Sequence, residues 1–250
     1  MSDLASILEF AVGTARQAGE LTRHYFQTDF QIDIKADSSP VTIADRESEQ
    51  LMRRLIAEKY PTHSILGEEY GETNPGSSHR WILDPIDGTF SFVRGVPLYG
   101  VMMGLEIEGQ AVLGVVNFPA LGEIVYAAQG QGCFLNGKPT HVSTVSQLSD
   151  ALVVSGNVPK GADGPFWRIH QQAKAFRGWS DCYAHTLVAT GRAEIALDPE
   201  MNLWDNAALL PILLEAGGTF TDYQGQTTIY GESAISTNGL LFEQVMALIK

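Results

Sequence analysis

Only two cysteines, Cys133 and Cys182, occur in the 250 residues, and their spacing matches neither a disulfide framework nor a zinc site. That scarcity predicts a reducing, cytoplasmic setting. Basic residues are also sparse: 16 Lys and Arg stand against 29 Asp and Glu, a formal net charge of −13. Without a Lys/Arg cluster the chain lacks the footprint of a phosphate-backbone binder, and no nucleic-acid partner is expected. No apolar run approaches ~18 residues, and Met1-Ser2-Asp3-Leu4 is not a basic n-region, so neither a membrane span nor a signal peptide is expected. A Walker-type phosphate loop is missing. Gly130-x-Gly132 lacks the third glycine of a dinucleotide fingerprint, and Ser155-Gly156 has no glycine placed to make a nucleophile elbow. The six histidines show no zinc spacing.

What is present is a well-stocked core, with 44% hydrophobic residues in a chain long enough for one large domain or two packed halves. Leu4, Ile7, Leu8, Ala11, Ala15, Ala18, Leu21 and Tyr25 recur at helical spacing and predict a long amphipathic helix capped by Ser2 or Asp3. A second helix is expected from about Ala44 to Tyr60, stopped by Pro61, and a short alternating strand at 30–35 precedes it. Residues 71–80 read as a loop. From Tyr99 to His141 the pattern becomes an antiparallel block of strands punctuated by glycines, with Asn136-Gly137 as a hairpin turn. Beyond it, a strand at 151–155 and helices at 165–176, 183–191, 203–217 and 240–250 interleave with short strands. The expected division is residues 1–142 as an α+β half and 143–250 as an α/β half, sharing an interface.

Trp81-Ile82-Leu83-Asp84-Pro85-Ile86-Asp87-Gly88-Thr89 organises the rest. An apolar strand is expected to end at Asp84, with Pro85 and Gly88 forcing a tight turn that aims Asp84 and Asp87 at one point. Adjacent carboxylates repel unless a cation neutralises them, so a hard divalent metal is the natural occupant. Gly67-Glu68-Glu69 also delivers carboxylates from a short strand into a turn, and Trp204-Asp205 opens an apolar helix. Taken singly, Glu68 reads as a solvated acidic turn and Asp205 as a complement to the helix dipole. Four such carboxylates converging would instead suit two or three Mg²⁺ ions with open positions for a phosphate.

In this order and spacing, Gly67-Glu68-Glu69, Asp84-Pro85-Ile86-Asp87-Gly88-Thr89 and Trp204-Asp205 resemble the inositol monophosphatase family of Mg²⁺-dependent, Li⁺-sensitive phosphatases. Lys35…Pro40-Val41-Thr42…Asp45 and Ala216-Gly217-Gly218 fit the same pattern, so the resemblance covers the whole chain. It implies an α+β fold, a layered αβαβα sandwich, often assembled as a homodimer. It also implies that Glu68, Asp84 and the Ile86 carbonyl hold a first metal, and that Asp84, Asp87 and Asp205 hold a second. Glu68 would serve a weaker third site. Asp45 and Thr89 would orient and deprotonate the attacking water, a task for which a hydroxyl–carboxylate pair is chemically suited. The Gly88 and Thr89 amides would bind phosphate if a helix begins there.

Three positions depart from the inositol enzymes. Arg94 stands where they commonly carry His, Asp181 replaces an alanine of a small-residue stretch, and Asp198 replaces a Glu that contacts ring hydroxyls. Two acids in the leaving-group pocket favour a cationic substrate. Asp181-Cys182-Tyr183 with Asp198-Pro199 resembles the histidinol-phosphate phosphatases of this fold, which implies a small phosphate ester with an amine and an imidazole. Trp179, Tyr183 and His185 are candidates to contact that ring. Inositol or another polyol phosphate is the alternative ester. A non-catalytic metal-binding module is the alternative of another class, though every catalytic residue it would have lost is present.

Overall fold

The computed structural model describes residues 4–34, 40–156 and 164–249. The expected cap at Ser2 or Asp3 and the Lys35 end of the loop before Pro40 lie outside these residues. In chain order the elements are α1 (Leu4–Tyr25), β1 (Ile32–Ile34), β2 (Pro40–Thr42), α2 (Ile43–Lys59), β3 (Ser64–Gly67), β4 (Gly71–Thr73), β5 (His79–Asp87) and α3 (Thr89–Val93). There follow β6 (Gly100–Ile107), β7 (Gln110–Phe118), β8 (Glu123–Ala128), β9 (Gly132–Leu135), β10 (Lys138–Thr140), β11 (Leu152–Val154), α4 (Pro165–Gln172) and β12 (Ala175–Arg177). The chain ends with α5 (Asp181–Ala189), β13 (Ile195–Asp198), α6 (Leu203–Glu215), β14 (Thr219–Thr221), β15 (Ala234–Thr237) and α7 (Phe242–Ile249).

Two sheets carry the architecture. Eight strands run in the order β10-β9-β8-β7-β6-β5-β3-β4, antiparallel except for the parallel pair β3–β5. Five run in the order β12-β11-β13-β15-β14, parallel at β12-β11-β13 and antiparallel beyond. Helices α1 and α2 bury Ile7, Ala11, Ala15, Met52 and Ile56 against one face of the large sheet. Helices α5 and α6 fill the space between the sheets, and α4 and α7 cover the far face of the small one. This is the expected αβαβα sandwich.

The central helix sits very close to the large sheet. A Cβ at Gly114 would lie 1.9 Å from the Ala208 carbonyl oxygen, and one at Gly104 would lie 2.7 Å from the Ala207 Cβ. Those glycines on β7 and β6 let the α6 backbone press onto the strands, and small Ala207 and Ala208 complete the approach.

Three expectations are corrected by this arrangement. The strand at Trp81 does not stop at Asp84: β5 runs on to Asp87, with its register against β6 shifting between the two aspartates. An irregular strand, not a tight Pro85 turn, therefore separates the carboxylates, and the reversal comes at Gly88, whose φ of 81° suits glycine. Residues 71–80 are not all loop, since Gly71–Thr73 adds the edge strand β4 and β5 begins at His79. The helix expected to reach 176 ends at Gln172, because β12 is recruited to the edge of the small sheet. Tertiary pairing overrides local pattern in both cases.

Candidate active site

Each carboxylate of the central cluster is locked by a backbone amide. Asp84, 2% exposed at the bulge in β5, accepts from the Ile86 amide at 3.0 Å. Asp87 accepts from the Cys182 amide, at the start of α5, at 2.5 Å. Asp205 is the third residue of α6 and accepts from the Asn202 amide at 2.7 Å, closing a capping box with Asn202. Strand, helix start and helix cap so bring one oxygen from each of Asp84, Asp87 and Asp205 within 4.8 Å of one another. Among the described residues no Lys, Arg or His pairs with them.

The electrostatic result is a group of acids held far from their ordinary behaviour. Burial, then the charges of Glu68, Asp87, Asp205 and Asp45, push the Asp84 carboxyl well up. Burial, then Asp181 and Asp205, push up Asp87. Asp205 rises to about 6, chiefly by burial and against the opposing Asn202 bonds. Three like charges crowded out of water need a counter-charge. Carboxylate oxygens are the ligands that Mg²⁺ prefers. Three carboxylates with oxygens gathered in this way are by chemistry the donor set for a hard divalent cation.

Asp45 and Thr89 reach this cluster from different elements. Asp45 is 1% exposed at the third position of α2 and accepts from the Thr42 amide at 2.7 Å and from its hydroxyl at 2.6 Å. Burial pushes its carboxyl up to about 6 in spite of those bonds, with Glu69 and Glu68 adding to the rise. Thr89 donates to the Ile86 carbonyl at 2.9 Å, so hydroxyl and carbonyl share one spot. The two do not bond to each other: each has its own anchor. Gly88 does precede a helix, the five-residue α3.

The turn that presents Glu68 depends on a residue that sequence reasoning missed. Glu49, fully buried on α2, accepts from the amides of Glu69 at 2.7 Å and Tyr70 at 3.2 Å. Arg53 holds the same carboxylate at 2.6 Å. A Cβ at Gly67 would lie 2.1 Å from Glu49 Oε1, so the glycine makes room for that clamp. The spacing of Glu49 and Arg53, and the Thr42-x-x-Asp45 capping box, were the available signals.

Two connected cavities open beside the cluster. A recess of about 70 Å³ is lined by Asp87, Asp181, Cys182, Asp198 and Asp205, among others. A wider space of about 430 Å³ is lined by Phe90, Ser180, Asp181, Asp198 and Glu200. Asp181 and Asp198 thus line the same two cavities, and Glu200, unremarked in sequence, lines them too. Burial, with the charges of Asp181, Asp205 and Glu200 behind it, pushes the Asp198 carboxyl up to about 7. Asp181 is also raised by burial, against a hydrogen bond from Ser180. Arg94 behaves differently: it caps the C-terminus of α3, is exposed and lines neither cavity.

A model of the inositol monophosphatase family matches residues 3–249. The chain belongs to the inositol monophosphatase family. As a member it is a phosphoric monoester hydrolase acting on small phosphate esters, and the family is Mg²⁺-dependent. A histidinol-phosphatase of Chlorobaculum parvum is 46% identical over 248 residues, covering 97% of this chain and 96% of the relative. A histidinol-phosphatase of Mycobacterium tuberculosis is 38% identical, covering 96% of each chain. Among solved structures, an IMPase of Thermotoga maritima superposes with a TM-score of 0.91 at 30% identity, over 98% of this chain and 96% of that one. Among the described residues no helix is long and apolar enough to cross a membrane.

Proposed function

We propose that this protein hydrolyses histidinol phosphate to histidinol and phosphate, with two or three Mg²⁺ ions held by Glu68, Asp84, the Ile86 carbonyl, Asp87 and Asp205. The observation that carries the reading is the acid-lined cavity. Asp181, Asp198 and Glu200 face a space of about 430 Å³ that adjoins the carboxylate cluster through the recess they share with Asp87 and Asp205. An ammonium or imidazolium on the leaving alcohol would answer the half-buried Asp181 and Asp198, which pair with no Lys, Arg or His among the described residues. The names of the two relatives above point the same way.

Mg²⁺ held by these groups would supply charge neutralisation at the phosphoryl oxygens and a lowered pKa for the attacking water. The chain's own groups do the rest. Thr89, anchored on the Ile86 carbonyl, aligns the water by accepting one of its O–H bonds. Asp45, held by Thr42 and with its carboxyl near 6, is largely ionised at neutral pH and takes the proton. A new P–O bond forms from water and the ester P–O bond breaks in line, the leaving alkoxide taking a proton from solvent water, with no phosphoenzyme. Asp181, Asp198 and Glu200 hold the departing amino alcohol.

Comparing kcat/KM on histidinol phosphate and on inositol 1-phosphate tests the reading. A preference for histidinol phosphate by tenfold or more is expected, with both rates abolished by EDTA and reduced by Li⁺. A preference for inositol 1-phosphate would overturn it.

A further inference from the structure

Phe90 follows Thr89 directly in α3, and its ring is 65% exposed. Its neighbour Phe92 is 1% exposed and packed among Phe26, Phe30 and Tyr99. No aromatic ring among the described residues stacks on Phe90. Leaving such a ring in water forgoes the free energy of burying it. Yet Phe90 does not lie on open surface. It lines the 430 Å³ cavity together with Asp181, Asp198 and Glu200, so one boundary of that space is an unpartnered aromatic ring and another is acidic. Its backbone is tied down: the Phe92 amide donates to the Gly88 carbonyl at 3.0 Å and the Thr89 hydroxyl to Ile86. The backbone that carries the ring is therefore held beside Thr89.

The rings favoured on sequence grounds are used elsewhere or face elsewhere. His185 is 1% exposed, with Nδ1 against Ser236 Oγ at 2.7 Å. Tyr183 meets Phe118 edge-on and carries the Arg192 guanidinium 5.8 Å from its ring centre. Trp179 lines neither cavity.

We infer that Phe90 is a specificity-determining residue that stacks on a flat ring in the leaving alcohol, while Asp181, Asp198 and Glu200 hold its cationic nitrogen. A flat ring can stack on this exposed π-face, and a cationic ring is also attracted to it. A polyol offers neither a flat face nor a positive charge, so the same wall disfavours it. The inference deepens the histidinol-phosphate reading and rests on it.

The test uses Phe90→Leu, which keeps an apolar side chain without a ring, and Phe90→Tyr, which restores one. Each is assayed on histidinol phosphate and on alaninol phosphate, which keeps the ammonium and lacks the ring. Phe90→Leu should lower the ratio of the two kcat/KM values by about tenfold, with the change carried by KM for histidinol phosphate. Phe90→Tyr should keep the ratio within about twofold. A ratio is independent of how much enzyme is folded. An unchanged ratio in Phe90→Leu would overturn the assignment, as would loss of the ratio in both variants. If the wild type instead prefers inositol 1-phosphate, the substrate reading falls, and the Phe90→Leu ratio still decides whether the ring is read by Phe90.

Discussion

The reaction end and the leaving-group end of the site are both acidic, but they are built differently. Asp84, Asp87 and Asp205 each accept a backbone amide, and their scaffolds are a central strand and a helix pressed onto the same sheet. Asp181, Asp198 and Phe90 sit at the ends of their elements. Asp181 has a φ of 57° and bonds its neighbour Ser180, and Asp198 accepts from the Glu200 amide at 3.3 Å. The first region tolerates no displacement, because donors to a hard cation must keep their separations. The second needs only a shape and a sign of charge. In the proposed reading, the reaction depends on fixed separations and the choice of ester on a wall of acids.

Asp87→Asn should break the first region most severely. It removes a ligand charge while keeping the amide contact, so Mg²⁺-dependent phosphate release should fall by about a hundredfold or more on every ester. A wild-type rate would show that the cluster is not the metal site. Gly114→Ala attacks the scaffold under that region. Its new methyl would meet the Ala208 carbonyl, displace α6 and cost about 1–3 kcal/mol in urea denaturation. Asp198→Asn attacks the second region alone. Selectivity for histidinol phosphate over inositol 1-phosphate should fall by about tenfold or more, with the rate on inositol phosphate less affected.

Acidity offers a subtler comparison. Asp45 and Asp205 near 6 and Asp198 near 7 lie above the ordinary carboxyl value of 3.8. Between pH 4 and 7 the folded chain therefore holds protons that the unfolded chain has released. The stability these groups contribute is complete below about 4 and drains away as pH rises through 6 and 7. Without Mg²⁺, the melting temperature should accordingly decline across that window more steeply than with it, and the gain from added Mg²⁺ should grow with pH. A Mg²⁺ gain equal at pH 5 and pH 7 would break this link. The smallest effect is expected from Arg94→Ala, whose exposed side chain lines neither cavity: kcat/KM should change by less than about twofold.

The contrast between the two regions also decides what could be read in advance. The carboxylates proposed as metal ligands lie in short motifs where an apolar run meets Gly and Asp, so local pattern alone exposes them. The capping roles of Thr42 and Asn202 follow the same local rules. The continuation of β5 past Asp84 was hidden because a bulge depends on the partner strand β6, and β12 was hidden because an edge strand of three residues depends on β11. Glu200 gave no signal: a lone exposed Glu after a Pro reads as solvated, and only the fold sets it beside Asp181 and Asp198.

Sequence by itself determined the family and the layered α+β fold and pointed to the acidic motifs, because those follow from apolar periodicity and turn chemistry within a few residues. Tertiary structure decided which rings were free. Phe90 and Phe92 stand two apart in one short helix, and only packing sends Phe92 into an aromatic cluster and leaves Phe90 facing the acids of Asp181, Asp198 and Glu200. Such convergence joins residues some ninety to one hundred and ten positions apart, and no local rule carries that distance.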